Sequence, residues 1–339
     1  MRGLNRTRLL ALTVTGILLA VCGIMAATVT AAGTPSDARY YIALGDSLST
    51  GYQPTLEGKG IETPSGYVDD IFSEEHQHTH NLELVDFGCP GDTTTSLLTG
   101  TGNYALAGRL HCDRSNGSQL KAALAFLRAH DQPGEVPLIT IDIGINDLNR
   151  CSALSDPTAC LQAGEASIST NLPLILRELH GAAPTDTQLA AMTLYDTYLG
   201  KRAAEGATSA DAEAFLNAYR QANQTIAADD HAAGFRTANV AAAFDTYDTS
   251  QVDWRGTQVP GNVARTCVLT WSCSPPPISH NIHPDGHGYR VIAREFELAI
   301  GRLAPLRARI PKGPAVGAGS FEARWMAGPG NADATTSRH

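Results

Sequence analysis

The stretch "YYIALGDSLSTG", Tyr40–Gly51, decides how the chain is read. Tyr40–Leu44 is a short aromatic and aliphatic run of strand type, and Gly45-Asp46-Ser47 follows it where a strand would turn out of a sheet. Ser47 is then either a turn residue or a nucleophile held at a strand end. The flanking letters are not the Gly-x-Ser-x-Gly of a nucleophile elbow, because Ser49 stands where the second glycine belongs. What the rest of the chain brings to the same place separates the two readings.

Four further runs repeat the strand character: "LELVDF" (82–87), "PLITIDI" (137–143), "LAAMTLY" (189–195) and "RTANVAAAF" (236–244). Helical stripes lie between and after them. Leu120, Ala123, Leu124 and Leu127 share one face, as do Phe215, Tyr219, Ala222 and Ile226, and then Tyr289, Ile292, Phe296 and Ile300. Segment 164–180 also has a helical pattern, in which Pro173 is expected to make a kink or mark the start. Strands alternating with helices predict an α/β fold: a three-layer α/β/α sandwich around a parallel five-stranded sheet. In such sheets ligands gather at the carboxyl ends of the strands. Just past strand ends stand Gly45-Asp46-Ser47, "GCPGDTTT" (88–95) and "GINDL" (144–148), and before the last helix "SHNIHPDGHGY" (279–289). One sheet edge thus collects Ser47, Gly91, Asn146 and His283.

The chain's two ends read differently. Arg2, Arg6 and Arg8 precede the apolar run Leu9–Ala27, and Ala31 and Ala32 follow it. That is the order of a secretory signal peptide, residues 1–32, which would make the protein extracellular. The run is long for a cleaved signal, so an uncleaved membrane anchor is the alternative. Residues 33–306 form the expected domain, and the Gly/Ala/Pro-rich segment 307–339 is expected to be disordered. Without residues 1–32 the formal charge moves from −9 to −12, which argues against a nucleic-acid partner. The cysteines beyond Cys22 fall as sequence-close pairs: Cys89–Cys112, Cys151–Cys160 and Cys267–Cys273. In an exported chain these nearest neighbours are the expected disulfides. None has the Cys-x-x-Cys spacing of a structural metal site. No obligate protein partner is evident, and a monomer is expected.

A serine hydroxyl attacks only when a base takes its proton, and imidazole is the base best matched to neutral pH. His283 is the candidate: it precedes Pro284, which suits a first helical position and would hold the ring at the helix mouth. Acyl transfer also needs donors for the developing oxyanion. The Ser47 and Gly91 N–H groups and the Asn146 side-chain amide are the candidates for that oxyanion hole.

"GDSLS" (45–49), "CPGDTT" (89–94), "GIND" (144–147) and "HP" (283–284) resemble, in order, the four blocks of the SGNH hydrolases, also called GDSL esterases and lipases. "TIDIGIND" (140–147) and "CVLTWSC" (267–273) look like secreted actinobacterial members. The resemblance implies a flavodoxin-like fold, with Ser47 as nucleophile, His283 as base and Ser47, Gly91 and Asn146 as oxyanion hole. It implies hydrolysis of carboxylic esters with no metal or cofactor, and architectural roles for Asp46 and Asp147. One position departs from the pattern. The family usually places an aspartate three residues before the histidine, and here His280 stands there, followed by Asn281. A main-chain oxygen near Ser279–His280, or Asp285, is the expected orienter of His283.

Two other readings start from the same residues. His280, His283 and His287 invite a metal-dependent phosphoesterase, although Pro284 and Gly286 interrupt any shared helical face. His76, His78 and His80 alternate in the polar stretch "SEEHQHTHN" (73–81) and are expected in a solvated loop with no role. A secreted binding protein could keep the scaffold without turnover. The substrate is not readable: lipid, acylated carbohydrate and small ester all fit, and loops 52–65 and 96–117 should shape the acyl pocket.

Overall fold

Strands that are apolar on both faces need cover on both sides, and the inner strands here have no polar face. Tyr41, Ile42, Ala43 and Leu44 are fully buried, as are Leu138, Ile139 and Ala190. The computed structural model describes residues 38–101, 112, 117–200 and 209–303. Its main sheet comprises β1 (Arg39–Leu44), β2 (Leu82–Asp86), β3 (Leu138–Ile141), β4 (Gln188–Met192) and β5 (Arg236–Ala238). All neighbours pair in parallel, in the order β2-β1-β3-β4-β5. Tyr41 sits opposite Leu84 on one side and Leu138 on the other. This is the flavodoxin-like order, whose switch point lies between β1 and β3.

The long helices are α1 (Tyr67–His78), α2 (Gln119–Ala129), α3 (Thr158–Ala182), α4 (Ser209–Ala233) and α5 (Gly286–Ile300). α1 packs on α5, while α3 packs between α2 and α4, giving the two outer layers. The stripes read from the sequence are the buried faces: Leu120, Ala123 and Leu127 on α2, Phe215, Tyr219 and Ile226 on α4, Tyr289, Ile292, Phe296 and Ile300 on α5. All three expected disulfides are present.

Four local expectations give way to stronger forces. The fifth strand stops at Ala238, because Asn239 turns the chain and its Oδ1 accepts from Ala242 N (3.3 Å), starting the helix Val240–Ala243. Pro173 does not mark the start of α3 but sits inside it, where its other expected role, a kink, would fall. A mid-helix proline costs about 3 kcal/mol, and burial of Ile168, Leu172, Ile175, Leu176 and Leu179 outweighs it. Pro284 is not the first residue of α5; Asp285 caps that helix by accepting from His287 N and Gly288 N (2.8 and 2.9 Å). His76 and His78, expected in a solvated loop with His80, form the last turn of α1.

Residues 1–32 and 307–339 lie outside the described residues, as do 102–111 and 113–116 of the expected acyl-pocket loop. Among the described residues no helix is long and apolar enough to cross a membrane.

The contact that locks α5 to α1 is a ring stack between Tyr67 and Phe296, with centroids 4.9 Å apart. Phe296→Ala is expected to cost about 3–5 kcal/mol of unfolding free energy, measured by chemical denaturation at fixed pH.

Candidate active site

The turn after β1 is built around a missing side chain. A Cβ on Gly45 would lie 2.0 Å from Asp142 Oδ1, so only glycine passes that carboxyl. Beyond it Asp46 Oδ1 accepts from Leu48 N (3.0 Å), and Ser49 Oγ donates to the Asp46 carbonyl (3.0 Å). Tyr52 N closes the turn on Ser47 O (3.1 Å). Ser47 is left 7% exposed, with Oγ 2.8 Å from His283 Nε2, a residue 236 positions away.

His283 is fixed from several elements. Trp271 N donates to its carbonyl (3.0 Å), Tyr195 Oη to that of Ile282 (2.8 Å), and Gln53 Nε2 to that of Pro284 (3.1 Å). The Tyr52 ring lies 4.2 Å from the imidazole, centroid to centroid. The other ring nitrogen, Nδ1, meets neither a main-chain oxygen nor Asp285, which is occupied in capping α5. Its partner is Asn281 Oδ1 at 2.8 Å.

That contact sets the tautomer. Asn281 Oδ1 also accepts the backbone N–H of His283 (3.0 Å), so this atom is the amide's oxygen and not its nitrogen. Nδ1 must then carry the proton and donate it, which leaves Nε2 as the lone-pair acceptor for the Ser47 hydroxyl. Asn281 is itself held by Ser272 Oγ, which donates to its carbonyl (3.2 Å), beside the Cys267–Cys273 disulfide. An amide supplies orientation without charge. Desolvation pushes His283 down to about 3.

The donor side forms on the next turn. Asp92 N donates to Cys89 O (3.0 Å) across Pro90 and Gly91, and Gly91 has φ +83°, the geometry of a type II turn with glycine at its third position. Cys89 N reaches back to Gly45 O (3.1 Å). Gln119, at the start of α2, joins the two turns: its Oε1 accepts from Gly45 N (2.7 Å), and its Nε2 donates to Gly45 O (2.8 Å) and Asp92 Oδ2 (3.1 Å). The Ser47 and Gly91 N–H groups make no hydrogen bond within the described residues. Asn146, 9% exposed, points its amide nitrogen to Asp46 Oδ2 (2.9 Å) and Asp92 O (3.0 Å). Both amide hydrogens are therefore engaged, and a further acceptor reaches one only by replacing the Asp46 carboxylate or the Asp92 carbonyl. Asp147 accepts from Thr94 N and Thr94 Oγ1 (both 2.8 Å), which fits the architectural part expected of it.

The four sequence candidates thus converge on one sheet edge, while Asn281 and Gln119 were not anticipated as partners. Neither carries a sequence signal, because each acts through a side-chain amide whose partners are set by the fold. His280, His283 and His287 do not converge: among the described residues no three His, Cys, Asp or Glu side chains form a group that could hold a metal ion.

The model of the GDSL-like lipase/acylhydrolase family matches residues 43–291. The chain belongs to that family. Its fold is similar to that of an extracellular lipase from Streptomyces rimosus, at 19% identity and TM-score 0.50, covering 77% of this chain and 100% of that one. A phospholipase A1 from Streptomyces albidoflavus NA297 also matches, at 17% identity and TM-score 0.46, covering 77% of this chain and 99% of that one. An acetyl xylan esterase from Geobacillus stearothermophilus matches at 16% identity and TM-score 0.48, covering 80% of this chain and 97% of that one. No curated protein sequence matches the chain.

If Asn281 orients His283 without charging it, Asn281→Asp will place a carboxylate on Nδ1 and favour the imidazolium. The ring proton signal of His283, followed by NMR, is expected to titrate at higher pH in that variant than in the parent.

Proposed function

We propose that the protein is an exported serine esterase or lipase that cleaves carboxylic esters through an acyl-enzyme on Ser47. The observation that carries this reading is the 2.8 Å contact between Ser47 Oγ and the unprotonated Nε2 of His283, whose tautomer Asn281 fixes. Ser47 Oγ attacks the ester carbonyl as its proton passes to Nε2. The oxyanion is met by the Ser47 and Gly91 N–H groups, then by Asn146 once the Asp92 carbonyl yields its amide hydrogen. The imidazolium gives the proton to the leaving alkoxide, and a water activated by the same nitrogen releases the acid. Among the described residues no carboxylate stands on Nδ1, so the imidazolium lacks the electrostatic support of a Ser-His-Asp site and turnover should be slower than in such sites. The order of residues 1–32 and the three disulfides support an extracellular location.

A fluorophosphonate probe tests the nucleophile. The intact protein should be labelled, Ser47→Ala should not be, and His283→Ala should be labelled on the order of 10³-fold more slowly or worse. Absence of labelling in the intact protein would favour a scaffold that binds without turnover. A nitrophenyl ester series then sorts the substrate: preference for acetyl points to small or carbohydrate esters, preference for long chains to lipids.

A further inference from the structure

Beneath the nucleophile two carboxyl groups meet that the chemistry above does not use. Asp142 directly follows β3, and its N–H donates to Leu44 O (3.2 Å), continuing the ladder between β1 and β3. Its Oδ2 accepts from Asp46 N (3.2 Å) and its Oδ1 from Tyr67 Oη (2.7 Å). Asp46 accepts from Leu48 N and Asn146 Nδ2. The carboxyl oxygens of the two residues lie within hydrogen-bonding reach of each other, and Asp46 and Asp142 are 0% and 1% exposed. Two ionised carboxylates cannot hydrogen-bond, and two adjacent buried charges repel.

We propose that Asp46 and Asp142 share one proton in the working enzyme, and that this proton ties the turn carrying Ser47 to the turn carrying Asn146. Both are positioning residues, and the proposal rests on the esterase reading of that site. The groups facing the pair are acids on every side. They are Tyr41 on β1, Tyr67 on α1, Asp92 after β2, Asp147 after β3, Tyr195 after β4, Tyr219 on α4 and Tyr289 on α5. Desolvation, joined by repulsion from Asp92 and Asp147 on Asp46 and from Asp46 on Asp142, moves both carboxyls above the ordinary range. They titrate as a unit. A carboxyl whose native pKa is raised contributes its stability at pH below the unfolded value and loses it as pH rises through the native value. Losing the shared proton to solvent leaves two charges under Ser47, and the turns separate.

Asp142→Asn places an amide hydrogen where the shared proton lies. The parent should lose kcat toward a nitrophenyl ester by about tenfold per pH unit above the pair's upper ionisation. Asp142→Asn should lose that alkaline limb, whatever the level of its activity at neutral pH. Infrared spectra taken without ester read the proton directly: a protonated buried carboxyl present in the parent at neutral pH should be missing from the variant. An unchanged alkaline limb, or no carboxyl band lost, overturns the proposal. If the protein proves to have no esterase activity, the infrared arm still decides about the proton. If Asp142→Asn fails to fold, carboxyl-carbon NMR of the parent replaces it, and finding every aspartate ionised at neutral pH overturns the proposal.

Discussion

The site depends on the parallel pairing of β1 between β2 and β3. Two crossovers leave this point toward opposite faces of the sheet, so no helix covers the carboxyl ends of the strands there. The ladder does not stop with the strands. Phe87 N to Ala43 O, Cys89 N to Gly45 O and Asp142 N to Leu44 O carry it into the turns that bear Gly91, Ser47 and Asn146. These turns sit at fixed spacing because the sheet fixes it, and glycine at position 45 is what lets them close over the Asp142 carboxyl.

The histidine comes from the far end of the chain, and its loop has no strand to align it. Disulfide, side-chain and main-chain ties replace the ladder: Cys267–Cys273 stiffens the segment holding Trp271 and Ser272, and those two residues grip His283 and Asn281 through hydrogen bonds. The outcome separates two jobs that an aspartate usually performs together. Asn281 orients the ring, and among the described residues no carboxylate meets Nδ1 to supply the compensating charge. Buried acids gather instead around Asp46, next to Ser47.

Several elements could be read directly because one physical signal dominated them. The stripe Tyr289, Ile292, Phe296 and Ile300 is buried as a helical face, and the apolar runs at 40–44 and 137–143 mark the two central strands. The failures came where two local signals competed. Pro173 does not start its helix, because tertiary burial overrides the propensity rule, and Asp285 takes the capping position because a carboxylate satisfies two N–H groups while proline satisfies none. α1 was not seen, since its C-terminal half is polar and only Tyr67, Val68 and Ile71 of its apolar residues are fully buried.

The sequence alone determined the fold class, the family and the four residues at the strand ends. Short motifs with special backbone needs, such as glycine beside a carboxyl or Pro-Gly in a tight turn, are written locally. The folded chain decided what steadies His283, what occupies the Asn146 amide, and that Asp46 lies against Asp142. Each of those is a side-chain contact with a group separated from it by a long stretch of chain or by a sharp turn. Hydrogen-bond partners of that kind are chosen by three-dimensional packing, and linear spacing carries no record of them.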